Sequence, residues 1–165
     1  MRQKYLWAGS IIGAILILDV FTKYLVEKYI RLYDVVTVVP GFFNLTHVRN
    51  KGAAFSILAS LPDRWRVLFF VTVTMIAVVV ILILLRKTHE SLLVIAFSLI
   101  VGGAVGNLID RIRYGEVVDF IQWYVKSWYW PSFNVADSAI SVGVALLAVD
   151  MLFFEKTRQK KISKS

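Results

Sequence analysis

An all-α membrane protein with four transmembrane helices is the fold predicted by two observations, and a third suggests what it carries. The chain of 165 residues is 58% hydrophobic, with a mean hydropathy of +0.69, which is more apolar surface than one water-soluble core of this length hides. Four of its apolar runs reach or approach the ~20 residues that a membrane-crossing helix needs: Leu6 to Val26, Val67 to Leu85, Leu92 to Ile109 and Ala139 to Phe154. Between them, polar patches hold two aspartates, Asp119 and Asp137, in a chain with no cysteine. A carboxylate-based membrane enzyme is therefore the sharpest functional expectation.

The first run follows Arg2 and Lys4 as a signal peptide would, but Asp19 interrupts it and no small-x-small cleavage site follows. It reads as a retained helix. Asp19 and Lys23 are four residues apart with the acid first, the favourable order for a pair on one helix face. A charge at mid-membrane costs about 2.5–3.5 kcal/mol on insertion scales, so the pair satisfies itself, serves function, or both.

After this helix, Asp34 to Phe43 and Asn44 to Arg49 are rich in Val, Phe and Thr and are broken by Pro40-Gly41, which predicts two short strands around a turn. His47 belongs to the second of these. Gly52 then opens a short apolar stretch, Ala53 to Ala59, suited to a helix lying on the membrane surface. Pro62 sits near the first-turn position of the second spanning helix, where proline is tolerated.

The third run ends in Gly102-Gly103-Ala104-Val105-Gly106-Asn107-Leu108-Ile109-Asp110-Arg111. Its small residues permit close helix approach. Asn107 and Arg111 fall on one face, where an amide and a guanidinium could bind the carbonyls of an extended peptide or, more plainly, snorkel into headgroups. Next, Trp123, Tyr124, Trp128, Tyr129, Trp130 and Phe133 cluster as an interfacial aromatic belt would, which puts the flanking Asp119 and Asp137 near a membrane face.

Asp119 reads as a loop acid surrounded by Val117, Val118, Phe120 and Ile121, a costly place for an isolated carboxylate. Asp137 opens the fourth helix, where the dipole favours a carboxylate and Asn134 can cap. Asp150, roughly 20 Å further along that helix, suits anchoring or packing. If Asp119 and Asp137 approach each other, repulsion leaves them sharing one proton near neutral pH. One can then activate a water while the other hydrogen-bonds a carbonyl, and spacing alone does not say which does which.

Other chemistries fit less well. Without cysteine there is no disulfide framework, thiolate nucleophile or thiolate metal site. His89-Glu90 begins like a zinc-protease motif, but Leu93 occupies the second histidine's place. No metal or cofactor is expected. A serine with Lys23 remains conceivable, although no particular serine stands out. The +8 charge reflects helix ends and tails rather than an interleaved basic and aromatic surface, so no nucleic-acid partner is expected. Arg2, Lys4, Arg86, Lys87 and the tail from Lys156 lie in short segments on one side, and equally many basic residues spread through the two long loops. The denser side is expected to be cytoplasmic, with both termini, and the long loops to face outward. Residues 1–155 then form one membrane domain and residues 156–165 a basic cytoplasmic tail.

Taken together, Asp19 with Thr22-Lys23, Asn50-Lys51-Gly52-Ala53-Ala54-Phe55, Gly102 to Arg111, Val117 to Phe120 and Phe133 to Asp137 resemble the motifs of the lipoprotein signal peptidases, the type II signal peptidases of bacterial membranes, over nearly the whole chain. The resemblance implies an aspartic endopeptidase of the cytoplasmic (inner) membrane. It would remove the signal peptide from prolipoproteins by cutting on the amino side of a cysteine already carrying diacylglycerol. The family's catalytic dyad falls on Asp119 and Asp137. Its supporting residues fall on Asp19, Lys23, Asn50, Gly52, Asn107, Arg111 and Asn134. The family fold adds an outward β-cradle and a surface helix, corresponding to residues 34–60. The implied partners are prolipoproteins, membrane lipids and globomycin-like peptide inhibitors, and the implied state is a monomer. Two readings compete: a proton-coupled transporter relaying through Asp19, Lys23 and the outer aspartates, and a membrane scaffold indifferent to both acids.

Overall fold

The structure is a computed structural model that describes residues 2–52 and 62–154. The four apolar runs become four helices, each extended past its run into polar flanks: α1 (Arg2–Tyr29), α2 (Asp63–Lys87), α3 (Ser91–Tyr114) and α4 (Val135–Phe153). All four are long and apolar enough to cross a membrane. Pro62 stands just before α2, at the capping position rather than inside the first turn. At the other end of α2, Lys4 Nζ donates to the carbonyls of Leu85, Arg86 and Thr88 at 2.8–3.0 Å. This satisfies orphan carbonyls of a helix C-terminus with a cation of the sign that the dipole favours.

Helix α3 is the central span and packs against α1, α2 and α4. Two-thirds of its apolar window is buried, against none of that of α2, whose exposed Phe, Val, Ile and Leu side chains suit a lipid-facing span. The glycines of α3 face α1 and α4. A Cβ on Gly102 would lie 3.0 Å from Ile15 of α1, one on Gly103 would overlap the Ala136 carbonyl of α4, and one on Gly106 would lie 2.6 Å from Asp19 Oδ2. From α4, Gly143 returns the fit against Ala96 and Ile100. Helix-to-helix attraction in lipid comes from such close contact, because burial from water contributes little there.

The two long connections meet at one end of the bundle in an antiparallel sheet ordered β1-β2-β3-β4: β1 (Val35–Val39), β2 (Phe43–Asn50), β3 (Val117–Val125) and β4 (Trp128–Tyr129). The expected hairpin around Pro40-Gly41 is β1 and β2. The third strand was not expected. Residues 117–121 form a central strand instead of a loop, because Val117, Val118, Phe120 and Ile121 suit a pleated, buried surface and β2 offers an unpaired edge. The aromatic belt in turn is partly strand, with Tyr124 stacked on Tyr129 at 5.4 Å.

Pairing between β2 and β3 shifts by one residue between Leu45↔Ile121 and Val48↔Asp119. Such a bulge re-aims side chains. Val117, Val118, Asp119 and Phe120 are all buried, and Val118 and Phe120 share a core with Val26 of α1. The expected surface helix over Ala53 to Ala59 and the basic tail lie outside the described residues.

Candidate active site

Asp119 and Asp137 arrive from different elements, a strand and a helix start, and Asn134 joins them. Its Oδ1 accepts from Asp137 N at 2.9 Å while Asp137 Oδ2 accepts from Asn134 N at 3.3 Å, a reciprocal cap of the amino end of α4. The Asn134 Nδ2 donates to Asp119 Oδ1 at 2.8 Å and lies 3.1 Å from Asn107 Oδ1 and 3.2 Å from the Val118 carbonyl. The side chain that starts a helix thus also fixes the acid on the neighbouring strand, and it is wholly buried.

A second donor reaches each acid. Asn50, the last residue of β2, donates from Nδ2 to Asp119 Oδ2 at 2.8 Å. Its Oδ1 accepts from Gly52 N at 2.8 Å, which fixes which way the amide faces. Gly52 adopts φ +87, and a Cβ there would overlap the Phe70 ring, so both conformation and space call for glycine. Asn107 donates from Nδ2 to Asp137 Oδ1 at 2.7 Å.

Behind Asn107 lies an ionic layer. Lys23 Nζ donates to Asn107 Oδ1 at 3.2 Å and pairs with Asp19 at 2.7 Å and Asp110 at 2.8 Å. Asp19 Oδ1 accepts from Ala136 N at 2.9 Å, in the first turn of α4. Asp110 Oδ2 accepts from Val118 N at 3.2 Å, next to Asp119. The expected self-sufficient pair of Asp19 and Lys23 is therefore half of a buried cluster tying α1 to α3, α4 and β3. Asp110 was missed by the sequence reading. Its only signal was that Asp110 lies three residues beyond Asn107, close to the same helix face.

Arg111 follows Asn107 by one turn of α3. Its guanidinium lies over the Phe70 ring, 4.9 Å from the centroid, in the field of Asp137, Asp119 and Asp110. Thr22 spends its hydroxyl on the Leu18 and Asp19 carbonyls. His47, with Nδ1 2.9 Å from the Ile30 carbonyl, is a structural strand residue, and Asp150 is buried at the far end of α4.

Burial, and after it the charge of Asp137, push the Asp119 carboxyl from its ordinary 3.8 up to about 7, against the Asn50 and Asn134 hydrogen bonds and the Lys23 charge that favour the ion. Two nearby acids, one of which readily keeps a proton at neutral pH while amides hold its oxygens in place, can act as a general acid and base on one bound carbonyl.

The profile of signal peptidase (SPase) II matches residues 11–153. A lipoprotein signal peptidase of Geobacter metallireducens is 51% identical over 97% of this chain and 99% of its own. One of Syntrophus aciditrophicus is 48% identical over 90% and 92%. A solved bacterial membrane enzyme superposes with a TM-score of 0.80 at 34% identity, over 89% of this chain and 93% of that one. A second does so at 0.78 and 35%, over 88% and 87%.

Proposed function

The chain belongs to the signal peptidase II family, and from that premise we propose that it is an aspartic endopeptidase whose dyad is Asp119 and Asp137. It is a multi-pass membrane peptidase that removes signal peptides from prolipoproteins. The observation that carries the aspartic assignment is the shared anchoring of two acids through one buried amide, Asn134.

In this reading Asp119 carries the proton that the two acids share, and the negative charge sits on Asp137, where the amino end of α4 favours it. Asp137 takes a proton from a water as that water adds to the scissile carbonyl. Asp119 donates its proton to the carbonyl oxygen as charge develops there. Collapse of the tetrahedral intermediate returns that proton to Asp119, breaks the carbon–nitrogen bond, and passes the proton held on Asp137 to the departing amine. Asn50, Asn107 and Asn134 hold the carboxylates, while Asp19 and Lys23 hold Asn107 and the start of α4. Gly52 shapes the turn beside Asn50. Arg111, in the field of both acids, orients the substrate backbone.

The substrate in this proposal is a precursor cleaved just before a diacylglyceryl-modified cysteine. The apolar helix and the lipid reach the acids sideways through the bilayer. Meeting of both long connections at one bundle end supports an arrangement with the site near the outer face and both termini in the cytoplasm. Globomycin-like peptides would compete for the site, and a monomer suffices because every residue in the mechanism comes from one chain. Incubating the purified protein with a diacylglyceryl-modified precursor and its unmodified twin tests the proposal: only the modified one should be cut. Asp119→Asn and Asp137→Asn should each lower the rate by about 10²–10⁴-fold in a folded protein, and normal turnover in both variants would end the dyad assignment.

A further inference from the structure

A groove of about 600 Å³ runs along the outside of α1 and α3, within the size range of small-molecule sites, and the mechanism above does not use it. Its lower wall is aliphatic and aromatic, with Leu16, Ile17, Val20 and Phe21, the last three of them exposed. Its upper rim is polar, formed by Tyr24, Glu27, Arg113 and Tyr114. From Leu16 to Glu27 the helix rises about 16 Å, close to half of the ~30 Å hydrocarbon thickness. The groove therefore has the length and polarity gradient of one leaflet.

The charged lining of the groove balances, Lys23 and Arg113 against Glu27 and Asp110, with Lys23 committed to Asp110. Glu27 is already paired with Arg49 at 2.5 Å, which leaves Arg113 as an exposed cation with no counter-charge among the ion pairs of the described residues. Arg49 and Arg113 both lie over the Tyr114 ring, 4.6 and 4.9 Å from its centroid. Beside it, Arg49 Nη1 is buried and has no acceptor among the described residues. The exposed Arg113 guanidinium matches the oxygens of a phosphate. An aliphatic trough beneath it matches an acyl chain.

We propose that this groove binds one glycerophospholipid, its phosphate at Arg113 and a chain along Val20 and Ile17. The site is separate from the dyad but shares a wall with it. Lys23 lines the groove and holds Asn107, which in turn holds Asp137, so an occupant sits directly behind the residues that position the acids. The proposal does not depend on the peptidase reading, because binding is measured without substrate.

The test is native mass spectrometry of the delipidated full-length protein in detergent, titrated with phosphatidylglycerol, with diacylglycerol of the same chains, and with inorganic phosphate. One phosphatidylglycerol should be retained per chain, at least about five-fold more tightly than diacylglycerol, with no retention of phosphate alone. Arg113→Gln should weaken phosphatidylglycerol, but not diacylglycerol, by at least about five-fold. Val20→Trp, which fills the trough from a lipid-facing position, should weaken both lipids. Unchanged circular dichroism and thermal midpoint in lipid-free detergent identify the variants as folded. Equal retention of the two lipids, or of phosphatidylglycerol by Arg113→Gln and the parent, would overturn the site, as would tight binding of phosphate alone.

Discussion

Asn134→Ser separates two roles that one side chain performs together. Asn134 Oδ1 caps α4 through Asp137 N, and its Nδ2 donates to Asp119 Oδ1 at 2.8 Å. Serine caps a helix about as well as asparagine, but its hydroxyl ends too near the backbone to reach Asp119, so the cap survives and the donor is lost. A hydrogen bond to a charged group contributes about 1.5–3 kcal/mol, and Asp119 is only 2% exposed, so solvent screening takes little away. At about 1.4 kcal/mol per unit, ionisation of Asp119 should move upward by about 1–2 units. The direction follows from the donor's role, since it favours the carboxylate and its loss favours the acid. If the proposed dyad works with one shared proton, parent activity should decline as pH rises through about 7, whereas in Asn134→Ser the decline should move to about 8–9. The assay is kcat/KM for a lipid-modified precursor from pH 5 to 10, alongside the thermal midpoint, which should fall because the buried Asn107 Oδ1 and Val118 carbonyl also lose their donor. Superimposable alkaline limbs, or a downward shift, would refute the assignment of Asn134 as the donor to the dyad.

Lys23→Met leaves Asp19 and Asp110 buried without their cation, and losing one partner of a buried pair costs about 3–5 kcal/mol. The thermal midpoint should fall sharply and recover in part when Asp110→Asn is added, because a neutral amide relieves the stranded charge. Gly106→Val drives a side chain into Asp19 Oδ2, 2.6 Å from the would-be Cβ, and overpacking of this kind costs about 1–3 kcal/mol. Activity should fall with stability, since the Asp19 bond to Ala136 N at the start of α4 is displaced. The elevated Asp119 also makes stability pH-dependent. Folding binds its proton more tightly than the unfolded chain does, so the contribution is complete below about 3.8 and lost as pH rises through about 7. Between pH 5 and 8 the thermal midpoint of the parent should drop relative to that of Asp119→Asn, which carries no titrating group there.

The spanning helices were legible because bilayer thickness imposes a length and a composition that few other structures share. Asn134 as a cap was legible too, since the Asn-x-x-Asp spacing is a local backbone rule. The strand around Asp119 was not. Its identity depends on β2, which ends some 70 residues earlier in the chain and offers it an edge, and the aromatic residues that follow carry a stronger interfacial signal. Asp110 was hidden for a similar reason. Nothing local distinguishes it from a helix-end acid until α1 delivers Lys23 to it. The Phe70 ring beneath the Arg111 guanidinium was hidden too, since it comes from α2, 41 positions earlier in the chain.

The buried amide at position 134 also dictates an order of assembly. A nascent chain released from the ribosome short of that position carries Asp119 but neither the second acid nor the group that aligns the two. With the proposed dyad, cutting begins only after the final span has threaded into the bilayer beside the third. Two halves expressed separately and divided between residues 121 and 133 should regain activity only where they re-pair in one membrane.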